Sequence, residues 1–178
     1  MKNITIYNSI IFVTYILVIL IADATATQLI QLPFGLVTNF GTLIFGLVFT
    51  LRDELHTQGI KKVYSAIAVA SILALIVNYI TGSPIQIILA SLVAFVIGES
   101  LDTQTFQNFK SSKWIHKSLF SNFFSIPVDS ILFNTLAFWG TPFQPLILQF
   151  TISQIIFKYI VATILALIIN INKSKKTF

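Results

Sequence analysis

Residues 84–102 read PIQIILASLVAFVIGESLD, and how this stretch is read decides the fold. From Pro84 to Gly98 it carries no charge, and Glu99 and Asp102 then follow one helical turn apart. A helix that lies on a soluble domain sets an apolar stripe against a charged face. This run is apolar on nearly every side, and roughly 20 such residues are what a helix needs to cross about 30 Å of hydrocarbon. Working outward, the pattern recurs on both sides and predicts six spans, at about 9–30, 35–51, 63–81, 84–101, 119–140 and 146–170.

Composition agrees. Of 178 residues, 56% are apolar and 10% charged, with a mean hydropathy of +0.88, whereas a soluble domain has about 25% charged residues. There is too little charge to coat a water-soluble globule. The absence of Cys excludes a disulfide scaffold, a thiolate nucleophile and thiolate metal sites. His56 and His116 fall outside the spans without metal-ligand spacing and read as solvated loop histidines, so no metal or other cofactor is expected.

The net charge of +5 is explained by position. Lys2 lies on the N-terminal tail, Arg52, Lys61 and Lys62 between spans two and three, and Lys110, Lys113 and Lys117 between spans four and five. Lys173, Lys175 and Lys176 lie on the C-terminal tail, and Lys158 alone is inside a span. The other connections, near Pro33, at Thr81-Gly82-Ser83 and from Gly140 to Pro145, carry no basic residue. The positive-inside rule then places both termini in the cytoplasm, which an even number of spans allows. The expectation is an all-α integral membrane protein, one transmembrane domain over residues 1–178, whose partner is the lipid bilayer and not nucleic acid. Lys2, the run Ile10–Ile21 and Ala22-Asp23-Ala24-Thr25-Ala26 imitate a signal peptide with its cleavage site. The apolar pattern resumes at Leu29, so this segment is read as a retained span. Between about Asp102 and Ser118, Phe106, Phe109, Lys110, Lys113 and Lys117 recur at helical spacing, which fits either a helix along the membrane surface or a solvated basic loop.

Polar groups in hydrocarbon are costly and usually face the bundle interior. Ser118, Asn122, Ser125 and Asp129 share one face of span five. Ser91, Phe95, Glu99 and Asp102 do the same on span four, and Thr151, Gln154 and Lys158 on span six. One shared cavity would satisfy all three stripes. Pro127 cannot donate to the Phe123 carbonyl, which predicts an opened turn beside Asp129. Span two is short and holds Gly41 and Gly46, and Asp53 and Glu54 follow it directly. Ala22 and Ala26 form a small-x-x-x-small pair able to seat a neighbouring helix.

Together these residues resemble a known family. The run Ala90–Asp102 followed by Phe106, the segment Ser121-Asn122, Ser125, Asp129-Ser130-Ile131-Leu132-Phe133 and Ala137-Phe138-Trp139-Gly140 are similar to signatures of the VUT family, the queuosine precursor transporters. Gly41-Thr42-Leu43-Ile44-Phe45, Arg52-Asp53-Glu54-Leu55 with Gly59, and Phe157-Lys158 match further parts of the pattern. The sequence departs from it at Gln28, where the family carries a lysine, and after Trp114, where His116 and Lys117 stand in place of an arginine.

The resemblance implies a bacterial inner-membrane transporter that imports 7-cyano-7-deazaguanine or a related deazapurine, and no enzyme. A guanine-like ring offers adjacent N–H donors that one carboxylate accepts together. Glu99 and Asp129 are the expected acceptors, with Ser91, Asn122 and Gln154 as neutral partners, Phe95 as a stacking surface and Lys158 as balancing cation. Asp53, Asp102 and Pro127 are expected to serve structure or gating. Coupling ion and oligomeric state stay open, including a homo-oligomer. The alternative is a substrate-binding subunit of an energy-coupling-factor transporter, docking on its coupling module through Ala22 and Ala26.

Overall fold

The computed structural model describes residues 2–32, 35–110 and 113–175. Pro33, in the first uncharged connection, and Lys176, on the basic tail, lie outside the described residues. The elements are α1 (Lys2–Ala24), β1 (Leu29–Gln31), β2 (Val37–Asn39), α2 (Phe40–Leu55), α3 (Ile60–Ile80), α4 (Ile85–Asn108), α5 (Trp114–Phe138) and α6 (Ile147–Lys175), with single 3-10 turns at His56–Gln58 and Gln144–Leu146. The six helices close into a ring in the order α1, α2, α6, α5, α4, α3, and α4 against α5 is the most extensive contact.

Sidedness is inverted relative to a soluble bundle. Ile10, Val13, Leu17 and Ile21 of α1, Ile72 and Ile76 of α3, and Ile160, Ile164 and Ile168 of α6 are exposed, while Asp23, Arg52, Asp53, Glu99, Asp102, Asn122, Asp129, Gln154 and Lys158 are buried. Charge sequestered inside an apolar exterior is the arrangement that lipid imposes. By length and composition, α1 from Ile6, α3, α4 and the segment Gln144–Ser174 are long and apolar enough to cross a membrane. The 16 residues of α2 extend about 24 Å at 1.5 Å each, and α5 spends much of one face on polar side chains.

Several element boundaries differ from the sequence reading. Span one was expected to run to about residue 30, but α1 ends at Ala24 and Leu29–Gln31 pairs antiparallel with Val37–Asn39. After Ala24 the helical ladder gives way to turns, with the Ala26 N–H donating to the Asp23 carbonyl and the Gln28 N–H to the Thr25 carbonyl, each at 3.1 Å. The short apolar run that follows has no period long enough to separate strand from helix. The expected surface segment 102–118 is instead divided between the ends of α4 and α5. Within it Phe106 is buried and stacks on His56, and Phe109 stacks on Phe120 with centroids 4.0 Å apart. Arg52, Asp53 and Glu54, expected in the loop after span two, form the last turn of α2 and are buried.

Two glycines record where backbones must nearly touch. A Cβ on Gly41 would stand 2.1 Å from the Ala22 carbonyl oxygen, so the start of α2 lies directly on the end of α1. One on Gly46 would stand 2.7 Å from the Val161 Cβ of α6. Ala22 thus seats a neighbouring helix, but one of its own chain. It is 3% exposed, so its side chain is not open for a coupling module to dock on.

Candidate functional site

The polar stripes do not meet in one cavity. They separate into two groups stacked along the bundle, one toward the β-hairpin and one toward the His56–Gln58 turn.

The hairpin-side group surrounds a cavity lined from α1 by Ala22 and Asp23, from the turn after it by Ala26, from α2 and its cap by Asn39, Gly41, Thr42 and Phe45, from α4 by Ser91 and Ala94, from α5 by Asp129 and Phe133, and from α6 by Gln154 and Lys158. Asn39 caps α2 by accepting from the Thr42 backbone N–H and hydroxyl, both at 2.8 Å, which fixes the helix start at the cavity wall. Lys158 Nζ donates to Asp129 Oδ2 at 2.5 Å and reaches Gln154 Oε1 and Ser130 Oγ, each at 3.3 Å. It also lies 5.1 Å from the centre of the Phe45 ring. Gln154 is oriented from its other end, donating to Asn134 Oδ1 at 3.1 Å.

Asp23 is the second carboxylate of the cavity, and its surroundings are different. Ser91 Oγ donates to its Oδ1 at 2.5 Å and Asn78 Nδ2 to its Oδ2 at 3.0 Å. Both donors are neutral. Each carboxylate oxygen has a further lone pair, so Asp23 can still accept two parallel N–H bonds from a bound molecule.

The second group is filled by side chains. Arg52 Nη2 donates to Asp53 Oδ1 at 2.7 Å and pairs with Asp102 Oδ2, while Nη1 donates to the Glu99 backbone carbonyl at 3.4 Å. The Glu99 carboxylate accepts from the Tyr15 hydroxyl at 2.6 Å. At the rim, Glu54 accepts from Tyr7 at 3.1 Å and pairs with Lys173 at 2.5 Å, and Lys173 lies 4.1 Å from the centre of the Trp114 ring. His56 is not a solvated loop histidine. It stacks on Phe106 with centroids 4.6 Å apart, and burial, with Arg52 and Lys117 nearby, pushes its imidazole down to about 4.

The candidates proposed from residue pattern and resemblance therefore divide, and three take positions other than those expected. Ser91, Asp129, Gln154 and Lys158 line the cavity. Phe95 packs in the apolar core with Tyr15 and Val48, edge-on to Phe45 at 6.1 Å, so Phe45 and not Phe95 presents a ring to the cavity. Glu99 belongs to the Arg52 group, because it lies on the same stripe as Ser91 but two turns further toward the other end of α4. Asn122 is buried on α5 two turns from Asp129 on the same side of the helix, and it does not line the cavity. Asp53 and Asp102 flank Arg52. Pro127 does not break α5, which is continuous from Trp114 to Phe138. The carbonyl it deprives, that of Phe123, accepts instead from the Tyr159 hydroxyl at 2.7 Å.

Asp23, Asn39 and Phe45 were not among the expected site residues. Asp23 carried a usable signal, an acid inside an apolar span, obscured by its place in a stretch that imitates a cleavage site.

A family model described as "Putative vitamin uptake transporter" matches residues 3–171. No curated protein and no solved structure matches the chain.

Proposed function

The chain belongs to this family of vitamin uptake transporters and is a multi-pass membrane transporter, not an enzyme; from that premise we propose that it imports a deazapurine queuosine precursor such as 7-cyano-7-deazaguanine across a bacterial inner membrane. In this reading all six helices span, both termini are cytoplasmic, and the hairpin-side cavity opens outward to receive the substrate.

The observation that carries the proposal is the unequal treatment of the cavity's two acids. Asp129 is neutralised by Lys158, whereas Asp23 has only neutral donors and faces the same space. A carboxylate left in that state suits a ligand with two adjacent N–H donors, as the guanine-type edge has. Across the cavity, Lys158 donates to the ring carbonyl and the face of Phe45 packs on the ring plane. Asp23 thus takes the role expected of Glu99.

Uptake of labelled 7-cyano-7-deazaguanine by cells unable to make the precursor tests this. Asp23→Asn keeps one acceptor and replaces the other with a donor, so uptake is expected to fall at least about tenfold, the equivalent of one charge-assisted hydrogen bond of about 1.5–3 kcal/mol. Uptake unchanged in Asp23→Asn would remove the acid from the site. Uptake that depends on a co-purifying ATPase would replace the stand-alone transporter with a coupling-factor subunit.

A further inference from the structure

The group around Arg52 takes no part in the binding step proposed above, yet it concentrates more buried charge than the cavity. Arg52 faces Asp53, Asp102 and Glu99, and all four residues are 1% exposed or less. One cation against three carboxylates leaves two formal negative charges uncompensated.

The hydrogen bonds show where. The guanidinium serves Asp53 and Asp102 through its side-chain pairings but gives Glu99 only a bond to the backbone carbonyl. The Glu99 carboxylate has a neutral phenol, that of Tyr15, as its hydrogen-bonding partner. Among the described residues, Glu99 Oε1 and Asp102 Oδ1 have no hydrogen-bond partner, and neither amide atom of Asn122 has one, although that side chain is 2% exposed. Asn122 stands one turn along the same face of α5 from Ser118, which lies beside Asp53. Other elements do not correct the imbalance. Glu54 is taken by Lys173, Lys117 lies over the Phe106 ring near His56, Asp129 is held by Lys158, Tyr159 near Asp102 is neutral, and the buried face of α3 carries no charge.

Uncompensated charge at this depth is relieved most simply by neutralisation. We propose that the Arg52 group is a proton site, with one proton held on Glu99 and a second on either Asp53 or Asp102, and that protons entering from the hairpin side and leaving at the loop side drive the transport cycle. The occupant is a proton and not a metal ion, because the guanidinium fills the space between Asp53 and Asp102 and, among the described residues, no three His, Asp or Glu side chains are placed to hold one ion. The site rests on the chain being a transporter and not on which substrate it carries.

Infrared spectroscopy of the full chain in lipid nanodiscs tests the site without a substrate. A protonated-carboxyl stretch is expected at pH 7, with its Glu99 component lost in Glu99→Gln and shifted in frequency in Tyr15→Phe, which removes only the hydrogen bond. A wild-type protein without that signal at pH 7 overturns the proposal. In proteoliposomes, a gradient acid outside is expected to raise 7-cyano-7-deazaguanine uptake at least tenfold in the wild type and to have no effect on Glu99→Gln. Wild-type uptake that follows a sodium gradient, or ignores both gradients, overturns the coupling. Complete absence of uptake alongside the carboxyl signal refutes the substrate and upholds the proton site.

Discussion

The two polar groups are made of the same materials and end in opposite states. Each has acids, a cation and an amide supplied by several helices. The hairpin-side group borders a cavity and leaves Asp23 with neutral donors, whereas the Arg52 group is filled by a guanidinium and a phenol. The choice of cation accounts for part of the difference. Arg52 presents a rigid fork that spans two carboxylates at once, while Lys158 is a point charge on a flexible stem able to exchange one partner for another. Charge density alone therefore does not mark a ligand site. Space beside an acid with unused hydrogen-bonding capacity does.

Removing each cation is the strongest way to break this comparison. Arg52→Met leaves Asp53, Asp102 and Glu99 in the bundle without a positive partner and is expected to cost about 3–5 kcal/mol, the usual penalty for stranding one half of a buried ion pair. In detergent this appears as loss of monodisperse protein or a large drop in the unfolding midpoint. Arg52→Lys restores the charge without the fork and recovers only part of it. A fully stable Arg52→Met would mean that the cation does not hold this end of the bundle together.

Lys158→Met makes the same deletion where the abandoned acid borders open space. Asp129 can then be hydrated or protonated from the cavity, so the expected loss of stability is smaller, about 1–3 kcal/mol, while uptake of 7-cyano-7-deazaguanine falls at least about tenfold if the lysine donates one charge-assisted bond to the ligand. If Lys158→Met unfolds as completely as Arg52→Met, the two regions do not differ in access to water.

These two variants also show what was legible in the sequence alone. Helical spacing put Ser91 and Glu99 on one face of α4, and Asn122 and Asp129 on one face of α5, and of these Ser91 is half-buried and the other three are buried. Spacing gives the angle around one helix and says nothing of the level at which neighbouring helices meet. The level is fixed by close contacts, as at Gly98, where an added Cβ would stand 2.9 Å from the Asp129 Cβ. That contact divides each stripe, sending Ser91 to the cavity and Glu99 to Arg52. Phe45 and Phe95 are indistinguishable by type, and their edge-on contact puts only Phe45 at the cavity wall. The hairpin was illegible because three-residue strands carry no periodicity.

The smallest expected effect concerns the boundary between the regions. On α5, Asn122 lies on the Arg52 side of Pro127 and Asp129 on the cavity side, and the carbonyl freed by the proline is satisfied by Tyr159, next to Lys158. Tyr159→Phe strands that carbonyl and is expected to cost about 1 kcal/mol. Pro127→Ala returns an N–H to the same carbonyl, so Tyr159→Phe should cost less in that background, with a coupling of about 0.5–1 kcal/mol in a double-mutant cycle of unfolding midpoints. Equal costs in both backgrounds would mean that the phenol does not compensate the proline. A coupling of the expected size makes Tyr159 the partner that compensates the carbonyl Pro127 leaves without a donor.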